Sequence, residues 1–347
     1  MIRINMFSQA ASVQGQGVGS AYQELMDLMR TRLVDEFYVT NNKYGVSDLT
    51  HYHTINPTYF ANSFASARGR KIGYVHFLPE TLEGSIKLPN FAKKVFYRYV
   101  IDFYKRMDQI VVVNPIFIDK LVKYGIKRDR VKYIPNFVSK AEFYPERQEK
   151  KNAFRHQLGI PLDKFVVLGD GQVQARKGVD DFVKLAQANP EMQFIWAGGF
   201  SFGKITDGYD HFKKLVDNPP KNLTFTGIIE RSKLVDYLNI ADVFLLPSFD
   251  ELFPMSVLEA FSCGTPVLLR DLDLYQAIIA GYYLSGQDFE QMNAQLRQMA
   301  SDPALLNKYS NLANEASVKY SEDNLARIWN EFYHEQYAIG KKLGQIR

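Results

Sequence analysis

The sequence predicts an α/β fold built from two doubly wound domains, and three observations carry that prediction. Short apolar runs alternate with longer amphipathic ones along the chain, which implies parallel strands covered by helices on both faces. The alternation runs through twice. A polar, charged stretch, FVSKAEFYPERQEKKN at residues 137–152, separates the two series, as expected of a domain boundary. A length of 347 residues also suits about two domains.

In the first series the strands read IRINMFS, EFYVTN, DLTHYHT, KIGYVHF, QIVVVN and VKYIPN, with helices such as SAYQELMDLMRTRL and IFIDKLVKYG between them. In the second they read KFVVLGDG, QFIWAGG, NLTFTG, DVFLLPS and PVLLRD, interleaved with VDDFVKLAQA, RSKLVDYLNIA, SVLEAFSCG and LYQAIIAG. The predicted division is residues 1–150, residues 151–325, and a C-terminal amphipathic helix at 326–347 that packs back across the domains. Open parallel sheets bind ligands at the carboxyl ends of their strands, so two facing domains make a cleft.

Composition narrows the classes. Hydrophobic residues make up 46 % and charged residues 23 %, which fits a well-cored globular chain. No run of 18 apolar residues is present, and MIRINMFSQA lacks the long apolar segment of a signal peptide. Cys263 is the single cysteine, so no intrachain disulfide forms and a cytoplasmic setting is expected. The net charge of +4 conceals an asymmetry. Residues 1–150 hold 22 Lys and Arg against 14 Asp and Glu, a net of +8, and the remainder hold 20 against 24, a net of −4. The first half should therefore meet something anionic: nucleic acid, a phosphorylated ligand or a membrane.

Three motifs offer chemistry. QGVGSAYQEL follows the first strand, with Gly15, Gly17 and Gly19 spaced GxGxG rather than GxGxxG; it suits either a phosphate at a helix N-terminus or a plain turn. GDGQVQARKG sets Arg176 and Lys177 on a loop before a helix, where two cations can clamp a diphosphate or face solvent. ELFPMSVLE places Glu251 in a strand-end loop and Glu259 within the helix that opens near Pro254 to Ser256. Carboxylates accept paired hydroxyls, and free helix N–H groups accept an anion, so the spacing suits a ligand with a sugar, a diphosphate and a ribose. Taken alone, two acids so spaced more often mark a solvated helix face.

The longer segment LPSFDELFPMSVLEAFSCGTPVLL resembles the signature of retaining glycosyltransferases of the GT-B superfamily, family 4, which include sucrose-phosphate synthases and bacterial mannosyl- and glucosyltransferases. QGVG, IPNF, GDGQVQARKG and ADVFLLPS resemble further motifs of that family, in the same order. The resemblance implies a GT-B fold of two Rossmann-like domains. It implies donor binding by Gly17, Arg176, Lys177, Glu251, Phe253, Pro254, Met255, Ser256 and Glu259. Arg176 and Lys177 would hold the diphosphate, Glu251 the transferred sugar and Glu259 the ribose. His76 matches a histidine beside the reacting centre, and His76 and Glu251 are the implied catalytic pair. The chain departs from the family at Gln172, where Arg is usual, and at Leu252, Pro254 and Phe137, where Gly is usual.

MFSQAASVQGQGVGSAYQEL, KIGYVHFLPETLEGSIKLP, FIWAGGFSFGKITDGY and LLRDLDLYQ are similar to the Gram-positive enzymes that add a second sugar to α-glucosyl-diacylglycerol, forming the anchor of lipoteichoic acid. That similarity implies UDP-galactose or UDP-glucose as donor, glucosyl-diacylglycerol as acceptor, and a peripheral position at the inner face of the cell membrane. No nucleic-acid partner and no metal are expected, since cations and a helix N-terminus replace the metal. Asp271 and Asp273, in DLD, are accordingly read as structural, and His51 and His53 as strand-end residues lining the acceptor side rather than metal ligands. On NFAKKVFYRYVIDFYKRM, helical spacing puts Ala92, Phe96, Tyr99, Val100, Phe103 and Met107 on one face. Lys94, Arg98 and Lys105 fall opposite, with Tyr97, Ile101 and Tyr104 beside them, and this mixed face is the expected membrane contact. The alternatives are a transferase of polysaccharide synthesis with a soluble or other lipid-linked acceptor, and a non-catalytic pseudo-glycosyltransferase subunit.

Overall fold

A computed structural model describes residues 1–10, 17–76, 78, 79, 90–201, 203, 206 and 208–346. Gly15 of the glycine loop, most of the segment 77–89 and parts of 202–207 lie outside the described residues.

The first domain contains β1 (Ile2–Phe7), α1 (Gly17–Thr31), β2 (Phe37–Asn41), β3 (Leu49–Tyr52), α2 (Pro57–Asn62), β4 (Arg70–Val75), α3 (Asn90–Lys105), β5 (Gln109–Val112), α4 (Ile116–Lys123) and β6 (Val131–Tyr133). The second contains α5 (Gln148–Gln157), β7 (Val166–Asp170), α6 (Val179–Ala188), β8 (Gln193–Ala197), α7 (Tyr209–Asp217), β9 (Leu223–Gly227), α8 (Arg231–Ile240), β10 (Val243–Leu246), α9 (Met255–Ser262), β11 (Val267–Arg270), α10 (Asp273–Ile279), β12 (Leu284–Gly286) and α11 (Phe289–Ser301). α12 (Pro303–Lys319) and α13 (Glu322–Lys342) close the chain.

The two sheets run β2-β1-β3-β4-β5-β6 and β12-β11-β10-β7-β8-β9, with parallel pairing throughout. The second is the six-stranded nucleotide-binding order with its switch point between β7 and β10, so the loops leaving those two strands frame a crevice. Val166, Val167 and Leu168 of β7 and the whole of β10 are buried, as the apolar runs require. β12 escapes the sequence reading because YYLSG is short and carries no run of branched residues.

α13 returns to the first domain. Tyr333 meets His51, and Gln336 accepts from Arg70 Nε at 2.7 Å. Its N-terminus is capped by Ser321, whose hydroxyl accepts from Asn324 N.

The helix read as a membrane face needs correction. Ile101 and Tyr104 are buried, at 7 % and 1 % exposure, and Tyr97 is half-buried. The inward arc of α3 takes in Val100, Ile101, Phe103 and Tyr104, the width usual for a helix packed on a sheet; the sequence reading drew it too narrow. The apolar residues that do face solvent are Phe91 and Val95, at 80 % and 55 %, beside the exposed Lys94, Arg98 and Lys105.

Candidate active site

The loop after β7 and the loop after β10 meet at the switch point. Lys177 Nζ contacts Glu251 Oε1 at 2.5 Å, and Arg176 Nη1 lies 3.5 Å from Glu251 Oε2. Arg176 is fixed further: its Nη1 donates to the Asp250 carbonyl at 2.6 Å, and its own carbonyl accepts from Phe249 N at 2.8 Å. Burial alone would raise the Glu251 carboxyl, but Lys177 and then Arg176 outweigh it and hold it below its ordinary value. The site thus keeps an ionised carboxylate against two cations inside a largely desolvated pocket.

Gly178 makes this approach feasible. Its φ is +70°, and a Cβ there would lie 2.1 Å from the Pro247 carbonyl oxygen. The loop carrying Arg176 and Lys177 therefore rests directly on the backbone that leaves β10, and a larger residue cannot occupy the position without moving one or the other.

α9 starts at Met255 with Pro254 at its N-cap, and no side chain caps it; Ser256 lies inside the helix. Pro254 carries no N–H, so the donors aimed into the crevice are those of Met255 and Ser256. The turn before α9 is pinned by the first domain. Asn114 Nδ2 donates to the Leu252 carbonyl at 3.1 Å and to the Leu274 carbonyl at 3.0 Å. Asn136 Nδ2 donates to the Phe253 carbonyl at 3.1 Å. The Phe253 ring meets Tyr320 edge-on at 5.3 Å. Two asparagines at the ends of first-domain strands thus set the helix that faces them.

Glu259 is buried one turn along α9 and pairs with Arg231, whose Nε donates to Oε1 at 3.0 Å. Burial raises its carboxyl and Arg231 offsets part of that rise. Asp170, at the end of β7, is pushed up to about 7, first by burial and then by the charge of Glu259, with Lys177 opposing.

On the facing domain, His76 directly follows β4 and is buried, stacked on Tyr74 at 4.3 Å. His53 stacks on Tyr74 at 5.0 Å and touches His51 at 4.2 Å and Tyr22 at 4.9 Å. His51 Nδ1 is 2.9 Å from the Tyr333 hydroxyl. Burial, joined by the charge of His76, pushes His51 down to about 3; burial alone does the same to His76; burial, joined by the charges of His51 and His76, puts His53 well below its usual value. At 0 % and 2 % exposure, His51 and His53 offer no surface to an acceptor. That reading is corrected: β3 is interior to the sheet, and α13 covers its end.

The structure therefore joins Arg176, Lys177 and Glu251, places Phe253 to Ser256 at the adjoining helix start, and sets Glu259 beyond them. Gly17 opens α1. Among the described residues, no group of three His, Cys, Asp or Glu is arranged to hold a metal ion. Asp271 lies just ahead of α10, its N–H donating to Gly286, and Asp273 opens that helix. Sequence reading missed Asn114 and Arg231, which carry no motif of their own, and Asp170, which lies in GDGQVQARKG but was given no role.

A nucleotide-binding switch point, a cation-clamped carboxylate and a second domain docked over the same helix define a two-domain transferase of activated sugars. Residues 150–317 match the family Glycosyl transferases group 1, and residues 42–142 match Glycosyltransferase Family 4. The chain is 49 % identical to the alpha-galactosylglucosyldiacylglycerol synthase of Streptococcus pneumoniae over 98 % of its length and 91 % of that protein. It is 26 % identical to the processive diacylglycerol alpha-glucosyltransferase of Acholeplasma laidlawii over 79 % of its length and 80 % of that protein. Among solved structures, it superposes on HepE of Anabaena, crystallised with UDP and glucose, with a TM-score of 0.76 at 15 % identity, covering 96 % of this chain and all of that one. The sucrose-phosphate synthase of Thermosynechococcus elongatus also gives 0.76, at 18 % identity, covering 98 % of this chain and all of that one. The fold is GT-B, and the chain belongs to glycosyltransferase family 4.

Proposed function

We propose that the enzyme transfers a hexose from a UDP-sugar to glucosyl-diacylglycerol, with retention at the anomeric carbon, to make a diglycosyl diacylglycerol. The observation that carries the reading is the Arg176–Lys177–Glu251 cluster at the start of α9, in a chain half identical, almost end to end, to a protein named for that synthesis. In the free enzyme both cations pair with Glu251, which offsets one of their two charges. A diphosphate seated on the N–H groups of Met255 and Ser256 would draw the cations to itself, leaving Glu251 to accept hydroxyl protons of the sugar. Glu259 would take the ribose, and His76 would stand beside the reacting centre, where its neutral imidazole can accept or donate a hydrogen bond.

The acceptor's tails would stay in the bilayer. Among the described residues no helix is long and apolar enough to cross a membrane. The exposed face of α3, carrying Phe91, Lys94, Val95, Arg98 and Lys105, is the proposed contact with an anionic surface, and a peripheral position at the inner face of the membrane is proposed with it. Lipoteichoic acid anchoring is the proposed use of the product.

The test is UDP release from UDP-galactose and UDP-glucose, with and without glucosyl-diacylglycerol in anionic vesicles. The relative's name makes galactose the first donor to try. Release should depend on the lipid and survive a chelator. Extension of a soluble oligosaccharide with no response to the lipid would overturn the reading.

A further inference from the structure

Four segments converge on one guanidinium. Arg231 opens α8 and lies over the Phe143 ring, 4.8 Å from its centroid. Its Nε donates to Glu259 on α9, its Nη2 to Glu24 on α1 at 2.6 Å, and its Nη1 to Glu142 in the segment joining the domains. Glu24 is itself held, its Oε2 accepting from Ser139 N at 3.0 Å. Glu24 belongs to the first domain, Arg231 and Glu259 to the second, and Ser139, Glu142 and Phe143 to the connection.

The arrangement is more than a surface ion pair. The side chains of Glu24 and Glu259 are each 4 % exposed and that of Arg231 is 24 % exposed, so screening by water is weak. A guanidinium presents its donors in a rigid plane, so three partners at three edges fix its orientation. Both Arg231 contacts to Glu259 fall on Oε1, which leaves Oε2 out of the pair. One carboxylate oxygen is thus immobilised and the other is aimed. Burial pushes the Glu24 carboxyl up to about 7, and Arg231 only partly opposes the rise. One cation does not fully satisfy three acids, and the cluster is sensitive to any added partner.

We propose that Arg231 and Glu24 are positioning residues of the donor site: Arg231 aims Glu259, and Glu24 holds Arg231 from the opposite domain, so that nucleotide binding and domain docking reinforce each other. This rests on the reading that Glu259 receives the nucleotide ribose. Linkage makes the effect reciprocal, since whatever Glu24 adds to nucleotide affinity the nucleotide adds to the docking of α1.

The test is calorimetry of UDP with four single variants and one double variant of the full chain, backed by thermal unfolding. Glu24→Gln keeps the shape and the Arg231–Glu259 pair but removes the charge across the domains. It should raise the Kd for UDP about fivefold or more, and raise KM for the UDP-sugar more than it lowers kcat. Arg231→Met should do so more strongly, and Arg231→Lys should recover part of the loss. In a Glu259→Gln background, Glu24→Gln should have no further effect on UDP, because the path runs through that carboxylate. If Glu24→Gln lowers the melting temperature but leaves UDP affinity unchanged, while Glu259→Gln weakens it, the network only holds the domains together and this proposal alone falls. If Glu259→Gln leaves UDP affinity unchanged, the ribose assignment falls and takes the proposal with it. Additive losses in the double variant would also overturn it.

Discussion

Lys177→Met isolates the central electrostatic claim. The substitution preserves the stem of the side chain and deletes the ammonium 2.5 Å from Glu251 Oε1. Both side chains are nearly buried, at 12 % and 7 %, so Glu251 is left as an ionised carboxylate with a single, more distant partner at 3.5 Å. Breaking a buried pair from one side costs about 3–5 kcal/mol, and the remaining Arg176 places the expected loss at the lower end, about 3 kcal/mol. Unfolding entropy is roughly 2.1 cal/mol/K per residue, or about 0.4 kcal/mol/K for a domain of about 190 residues, so the second domain should melt about 7 °C lower. Adding Glu251→Gln removes the stranded charge and should restore most of that loss, although neither variant should bind UDP-sugar normally. The sign against pH is also determined. Glu251 lies below its ordinary value in the wild type, so its pairing stabilises above that value and fades as pH falls. In Lys177→Met the same carboxyl moves up, so the deficit should shrink as pH falls toward 5. Thermal unfolding of the four proteins of this cycle at pH 5 and pH 8, with UDP calorimetry at pH 8, measures all of it. An unchanged melting temperature in Lys177→Met, or a double variant as unstable as the sum of the singles, would refute a stabilising buried pair.

Three further outcomes are expected. The buried histidines are neutral in the fold, with His51 and His76 pushed down to about 3, so the stability they support is complete above the unfolded value near 6.5 and is lost as pH falls toward 3; His53→Phe should make that acid limb shallower by about 1.4 kcal/mol per pH unit between pH 6 and 4, and an unaltered slope in urea titrations would show that His53 is not held neutral. Gly178→Ala forces a left-handed residue to carry a Cβ against the Pro247 oxygen, costing more than about 2 kcal/mol from φ and overlap together; urea unfolding at wild-type stability, with wild-type UDP affinity, would contradict the close docking of the two loops. Replacing Lys94, Arg98 and Lys105 by Glu should abolish sedimentation with anionic vesicles, each cation being worth about 1 kcal/mol there, and Phe91→Ser should weaken it further at high salt while UDP binding stays intact; equal loss on a water-soluble acceptor would assign the helix to the cleft instead.

The fold was legible because short apolar runs alternate with longer amphipathic ones, and eleven of the twelve strands among the described residues are in the sequence reading. The donor motif was legible because loop, helix start and both acids lie within one short stretch. What escaped was anything assembled from distant segments. His51 and His53 look like strand-end residues until α13, nearly three hundred positions later, is seen to cover His51, and Tyr22 and Tyr74 to enclose His53. Ile101 and Tyr104 look wet on a helical wheel because the wheel does not give the width of the packed arc. Arg231 has no motif at all; its importance comes from three carboxylates on three other segments.

The departures from the family pattern then have a backbone answer. A glycine is indispensable where φ is positive or a Cβ would collide, and among the described residues the one non-glycine with positive φ is Asn42. Leu252, Pro254 and Phe137 therefore sit in conformations open to any residue, and φ at Pro254 is −67°, the value its ring prefers. Phe137 is buried at 3 % exposure, Phe253 packs on Tyr320, and the carbonyls of Leu252 and Phe253 still accept from Asn114 and Asn136. Side-chain packing and two interdomain hydrogen bonds thus hold the turn before α9. Gln172 leaves the loop without one cation, but Arg176 reaches Glu251 beside Lys177, so two positive charges still face the site. A vestigial site would have no need to keep a buried carboxylate ionised against two cations at a helix start, because the pairing must first offset the desolvation of three charges. The retained charges favour a working donor site over a vestigial one.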